Sequence, residues 1–441
     1  MTKSVNNPHI IRDTLQQIIH SLQQDVSPFV KNPGKDFSRN RSITLEDLVL
    51  LLLSLEAHSL NKELHHYFAS FKKKVPPYKS AFSQQRAKIN DALFPYLLHT
   101  FNQKCPFKAK MDGLHVLAGD GSDINVPAGI NDCNTFIPYN SNNGGYHQLH
   151  INALFDLYEQ RYVDINIQPR GDINECSAAS DMIEHNPLKG QCLYIFDRGY
   201  ENFNLMAHIM KRKDYFLIRA KNVSSSVSSY HFFDLPDSDE YDLDINFLIT
   251  RSSRKIYRED PCTYKVINRK TRFDFINLDD KESLFPLSFR LVKIRLDNDK
   301  EEYLLTNLPR ESYGYARLKN LYHMRWKIET SFLFLKYGIC LNYFHSVITE
   351  RQYQEIYAKI ILFNFISLMI SCVTVKDKKT KFSYKISFSD AIYICREYLL
   401  GLRSWKRTVE LLLRHKIPIR PGRKAKRNVA SQRLKSLQHR S

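Results

Sequence analysis

Two aspartates and one helical segment carry the side chains best suited to chemistry. Asp120 closes the apolar run LHVLAGD and Asp197 closes QCLYIFD, and each is followed by a glycine-containing turn, GS and RGY. A buried strand that ends in a carboxylate delivers it to the edge where open α/β sheets keep their reacting groups. The segment YHMRWKIETSFLFLK adds Tyr322, Arg325, Glu329 and Lys336. At roughly 100° per residue these four fall within an arc of about 60° on a straight helix, forming a polar stripe. Met324, Ile328, Phe332 and Leu335 take the adjoining sector, which packs that side against a sheet and leaves the stripe at its rim. An acid between two cations and a phenol suits a divalent metal on the acid and phosphate oxygens clamped by its neighbours. Taken singly, each aspartate is also an ordinary turn residue, and Arg325–Glu329 an ordinary i,i+4 ion pair. Asp123 and Asp172 lie near the set and read as solvated or supporting acids, and His147 and His150 as structural.

The elements that must position these groups follow from the changing rhythm of the chain. Residues 1–105 are helical in pattern and form an expected DNA-binding domain: IIRDTLQQIIHSLQ has apolar residues three and four apart, and Thr44 with Asp47 marks a helix start. Within it, PPYKSAFSQQRAKIND offers Lys79, Gln84, Gln85, Arg86 and Lys88 to phosphates and base edges, or else presents a merely solvated face. From 106 to 221 short apolar strands (YHQLHINALFDLY, RYVDINIQP, DYFLIRAK) alternate with helices over Asn174–His185 and Asn202–Lys211. That alternation predicts an α/β fold, a mixed sheet flanked by helices. Residues 222–300 read as a β-rich insertion. Residues 301–400 return to the core with the strand EEYLLTNLP and helices over Tyr313–Lys336 and Arg351–Cys372. In the tail, 401–441, thirteen Lys or Arg from Arg403 to Arg440 face the single acid Glu410, the composition of an arm that adds phosphate affinity without regard to sequence.

Composition narrows the partners. The 441 residues carry 65 Lys plus Arg against 46 Asp plus Glu, a formal charge of +19, which favours a polyanion. The longest greasy stretch, Ile360 to Val373, contains Asn364, Ser367 and Ser371 and falls short of the roughly 20 residues of a membrane span, so a buried helix and no membrane partner are expected. The opening MTKSVNNPHIIRDTLQQ lacks the layout of a secretion signal, and a cytoplasmic, nucleoid-associated location is expected. Eight scattered cysteines without a C-x-x-C pair read as small core residues rather than zinc ligands.

Together these residues resemble the insertion-sequence transposases of the DDE class, in particular the IS-four group with its Y-(2)-R-(3)-E-(6)-K motif, reproduced here by Tyr322, Arg325, Glu329 and Lys336. GDGS around Asp120 and DRGY around Asp197 are similar to the same group, and the likeness spans Leu114 to Lys336. The resemblance implies an RNase H-like core in which Asp120, Asp197 and Glu329 are catalytic and bind two Mg²⁺ ions, with Mn²⁺ able to substitute. It implies that Tyr322, Arg325 and Lys336 hold phosphates of the transposon end, that Trp326 helps build that pocket, and that a homodimer joins double-stranded transposon ends to target DNA. Relatives pass through a DNA hairpin, and in some a tryptophan of the insertion holds the extruded base. Residues 222–300 contain no tryptophan, so Tyr257, Tyr264, Phe273 or Phe275 would have to serve. A non-catalytic DNA-binding derivative of such an enzyme, or a related RNase H-like nuclease, would share most of these features.

Overall fold

The computed structural model describes residues 7–39, 41–71, 75–127, 134–138, 144–221, 223, 230–295, 301–375 and 382–420. Five helices come first: α1 (Pro8–Gln24), α2 (Leu45–Ser54), α3 (Leu60–Ser70), α4 (Lys79–Arg86) and α5 (Leu93–Lys104). Thr44 caps α2 as its spacing predicts. Its hydroxyl accepts from the Asp47 amide while the Asp47 carboxylate accepts from the Thr44 amide, which satisfies two donors the first turn leaves free. The polar face expected on α4 is not one outward face, because Gln85 and Arg86 are buried while Lys79 and Gln84 are exposed. Arg86 donates to Gln354 Oε1 and Glu355 Oε1 at 2.8 and 2.7 Å. A guanidinium this deep requires such partners, so part of what looks like a DNA-reading pattern is core pairing.

The middle of the chain builds a sheet. Its elements are β1 (His115–Val126), β2 (Phe136–Pro138), β3 (Gly145–Asp156), β4 (Arg161–Pro169), α6 (Glu175–Glu184), β5 (Cys192–Phe196), α7 (Phe203–Lys211) and β6 (Tyr215–Arg219). After them come β7 (Tyr241–Thr250), the short α8 (Lys255–Glu259), β8 (Tyr264–Val266), β9 (Phe285–Arg295) and β10 (Glu301–Thr306). All ten strands join in the order β2-β3-β1-β5-β6-β10-β9-β7-β8, with β4 paired to β3. β1, β5 and β6 run parallel, whereas β3 is antiparallel to β1 and β10 to β6. The expected mixed sheet is therefore present. The strands of 222–300 extend it, β9 on β10 and β7 on β9.

Both faces of the sheet are covered, and β1 shows how the sequence arranges this. Val116, Ala118, Ile124 and Val126 enter one core, which also takes Leu97 of α5, while Leu117 enters a second core with Met182 of α6 and Leu205 of α7. The alternation is the two-residue period of a strand buried on both sides. The remaining elements are α9 (Tyr315–Met324), α10 (Trp326–Leu333), a π turn (Phe334–Gly338), α11 (Thr349–Ser371), β11 (Tyr384–Ile386), α12 (Phe388–Leu399), α13 (Trp405–Arg414) and β12 (Lys416–Pro418). Ile328 and Phe332 of α10 and Ile360 and Ile366 of α11 join the first core.

The single helix expected over Tyr313–Lys336 is instead two helices that meet at Arg325 and close in the π turn. α11 is long and apolar enough to cross a membrane by length and composition, yet 83% of its apolar window is buried in the fold, as the reading of Ile360–Val373 expects. Cys105, Cys192 and Cys395 are buried as expected, but Cys262 is exposed. Residues 421–441, most of the basic tail, lie outside the described residues.

Candidate active site

Asp120 does not end its strand. β1 continues to Val126, and Asp120 pairs with Ala153 of β3. On the other side of β1 the parallel pairing with β5 stops at Ala118 and Ile195, so Asp120 stands just past the carboxyl end of the parallel ladder, on a hairpin arm that projects beyond it. The glycines beside it serve close approach rather than a turn. A Cβ at Gly119 would overlap the Phe196 ring, and one at Gly121 would come within 2.7 Å of Glu175 Oε1. Asp197 follows β5 directly, as the sequence indicates, and its Oδ1 accepts from the Gly199 amide at 2.7 Å.

Arg325 ties the helical acid to the sheet. Its guanidinium donates to Asp120 Oδ2 at 3.2 Å and to Glu329 Oε1 at 2.8 Å. Burial raises the Asp120 carboxyl to about 6 against the opposing pull of Arg325, and the charges of Asp197 and Glu329 push it in the same direction as burial. The three acids predicted from sequence are thus brought into one electrostatic neighbourhood, with Arg325 between two of them.

The rest of the stripe divides around this centre. Tyr322 is buried; desolvation raises its phenol, Arg325 opposes that, and Glu302 and Asp197 add to it, while the Arg325 guanidinium lies 5.9 Å from its ring. Lys336 sits in the π turn, where the straight-helix projection does not apply. Burial lowers its ammonium, and the charge of Asp123 on β1 opposes that. Trp326 is 41% exposed and carries the Arg325 guanidinium 5.4 Å from its ring, a surface position rather than a core one.

Two groups, His150 and Glu175, escaped the sequence reading as partners of these acids, whereas Asp123 was named as a solvated or supporting one. Asp123 and His150 face each other in the β1–β3 register, with Oδ1 and Nδ1 2.7 Å apart, and His150 Nε2 lies 3.1 Å from Glu175 Oε1. Burial alone would lower the imidazole, but its two carboxylates overcome that and raise it to about 9. Asp123, which burial would raise, is instead held below the usual carboxylate range by His150, Arg170 and Lys336. His150 was read as structural and Glu175 not singled out at all; the only available signal was period-two patterning, which cannot fix a register. His147 bonds Thr135 Oγ1 through Nδ1 at 2.8 Å. Among the insertion aromatics, Phe273 and Phe275 pack against Phe285, leaving Tyr257 and Tyr264, half-buried and 4.8 Å apart, the more accessible pair.

Among the described residues no three Asp, Glu, His or Cys side chains stand close enough to enclose a metal ion. The Arg325 guanidinium, lying between Asp120 and Glu329, accounts for the spacing of that pair. The donor set nonetheless fits a hard divalent cation: oxygen ligands only, partly desolvated, with mutual repulsion that a cation would relieve.

Residues 113–365, more than half of the chain, match the family model described as transposase DDE domain. No curated protein matches the chain. Among solved structures, the cryo-EM structure of the piggyBac transposase synaptic complex with hairpin DNA is similar, with a TM-score of 0.43 and 12% identity over 96% of this chain and 87% of that one.

Proposed function

The chain belongs to the family of transposase DDE domains, and from that premise we propose that it binds the terminal inverted repeats of its own insertion sequence, cuts the phosphodiester bonds there and joins the freed ends to target DNA. The observation that carries this reading is the Arg325 guanidinium shared by Asp120 and Glu329, with the Asp197 charge felt at the same carboxylate. Asp120, Asp197 and the Arg325–Glu329 pair, distant from one another in sequence, meet there, which supports the reading. The mixed sheet covered by helices on both faces supports an RNase H-like core.

Asp120, Asp197 and Glu329 would hold two Mg²⁺ ions, with Mn²⁺ as a substitute. Such ions, when bound, activate the attacking hydroxyl and stabilise the leaving oxygen of an in-line displacement. The chain's own residues supply the rest. Arg325 has a fork geometry suited to a phosphate once it leaves the acids, and Tyr322 and Lys336 would add a phenol and a cation to the hold on the DNA end. Trp326, exposed beside Arg325, offers an apolar face to a sugar or base at the DNA end. The helical region 1–105 and the basic tail 401–441 would add DNA affinity, and two copies would hold the two ends in one event.

The test uses the purified full chain, Mg²⁺ or Mn²⁺, and a duplex carrying the ends of the element. Asp120→Ala, Asp197→Ala and Glu329→Ala are expected to keep duplex binding in a mobility-shift assay and to lose cleavage. Undiminished cleavage by Glu329→Ala would overturn the assignment.

A further inference from the structure

We propose that Glu175 is a fourth carboxylate of the cation-holding site, presented from the face of the sheet opposite Glu329 and set in place by His150. This rests on the reading of Asp120, Asp197 and Glu329 as cation-holding acids.

Glu175 opens α6, whose first turn Asn174 caps through the Ser177 amide. α6 packs into the second core, whereas α10, which carries Glu329, packs into the first. The two helices therefore approach the ends of β1 and β5 from opposite sides. The Glu175 carboxylate reaches across the gap between these strands. Its Oε1 lies within 2.7 Å of where a Cβ on Gly121 would stand, and its Oε2 within 3.8 Å of one on Gly199. Gly121 follows Asp120, and Gly199 is the residue whose amide binds Asp197. Glycine at 121 leaves the room that the acid occupies. His150, held by Asp123 on its other nitrogen, sets its ring 3.1 Å from the carboxylate as an ion-pair partner.

A separate observation points to a ligand there. Tyr200 is 2% exposed and stacks on Phe196 at 4.8 Å, and its hydroxyl has no hydrogen-bond partner. The charges that this phenol feels include those of Glu175, Asp120 and Asp197. A buried hydroxyl without a partner is destabilising, and it donates to none of the carboxylates whose charge it feels. Mg²⁺ and Mn²⁺ keep part of their water shell when held by few carboxylates, and a cation-bound water is the kind of group that would complete this hydroxyl.

The experiment titrates Mn²⁺ into the full chain without DNA, reading free Mn²⁺ by electron paramagnetic resonance, with melting in EDTA as a check on folding. Glu175→Gln is expected to weaken Mn²⁺ binding by about tenfold or more, since cation affinity follows the number of charged ligands. His150→Asn should weaken it by roughly 10-fold, as loss of a supporting partner does. Glu175→Asp, which keeps the charge, should retain more affinity than Glu175→Gln. Asp120→Asn is the reference. If it weakens Mn²⁺ binding while Glu175→Gln binds as tightly as the parent, the fourth acid is wrong and the three-acid reading stands. If neither changes, the three-acid reading falls as well. Equal losses in the Asp and Gln variants, accompanied by lowered melting in EDTA, would make Glu175 a folding residue and overturn the proposal.

Discussion

Asn364 sits fully buried in the middle of α11, and replacing it with leucine should loosen both the fold and the support behind the helix that carries Glu329. Its Oδ1 accepts from the Tyr162 amide at 2.7 Å, and its Nδ2 donates to Asn102 Oδ1 at 3.0 Å and to the Tyr162 carbonyl at 2.7 Å. The arrangement fills a specific need, because the β3–β4 register shifts between Leu154 and Phe155, opposite Tyr162 and Asp164, and disturbs the ladder there. In Asn364→Leu the Tyr162 carbonyl keeps its bond from Asn102 Nδ2, whereas the Tyr162 amide and Asn102 Oδ1 lose their partners. Two orphans at roughly 1–3 kcal/mol each, offset by about 1–2 kcal/mol from the added apolar burial, leave a loss of ~3 kcal/mol. With an unfolding entropy of about 2.1 cal/mol/K per residue, a chain of this length melting as one unit should drop by ~3 °C. Urea unfolding and calorimetry measure both quantities. In Asn102→Leu combined with Asn364→Leu the Asn102 Oδ1 orphan disappears, but the Tyr162 carbonyl, which each single variant leaves with one bond, loses both, so the pair should cost about the sum of the two. Tyr162 also holds Ser331 Oγ at 2.7 Å, two residues beyond Glu329, so DNA cleavage should fall more than DNA binding. An Asn364→Leu variant as stable as the parent would refute the reasoning.

Glu355, buried against Arg86 and His345, is held down to about 2 by their charges and hydrogen bonds despite its burial, from an ordinary 4.5. Its folded value lies below its unfolded one, so its contribution is complete above pH 4.5 and disappears as pH falls through about 2. Glu355→Gln should therefore flatten stability between those limits in urea melts at stepped pH, and a profile parallel to the parent's would reject this. Arg325→Gln removes the guanidinium that competes for Asp120 and Glu329, so Mn²⁺ should bind more tightly in solution while DNA cleavage drops; weaker Mn²⁺ binding would count against the competition.

Much of this arrangement was legible in the residues themselves. Asp197 after five buried strand residues, the Thr44–Asp47 cap, and the apolar sector of Ile328, Phe332 and Leu335 depend on local spacing, which sequence displays directly. Asp120 was found but its setting was misread, since a strand that outruns its partner on one side only is a property of pairing. Glu175 and His150 were out of reach for the same reason: they meet only once β3 is registered against β1 and α6 folds over both. Arg86 misled in the opposite direction, because a cation among polar neighbours looks the same in sequence whether it faces water or a buried Glu355. Lys336 was assigned an azimuth from an ideal helix, which the π turn over Phe334–Gly338 does not keep.

The unbroken ladder from β5 through β6, β10 and β9 to β7 has a mechanical consequence. Each rung is a set of backbone hydrogen bonds, so the outer strands cannot swing as a loosely hinged flap without tearing rungs. A force applied at β7 or β9 reaches the strand that presents Asp197 as a change in sheet twist. Whatever grips the far edge of this sheet is thereby geared to the centre.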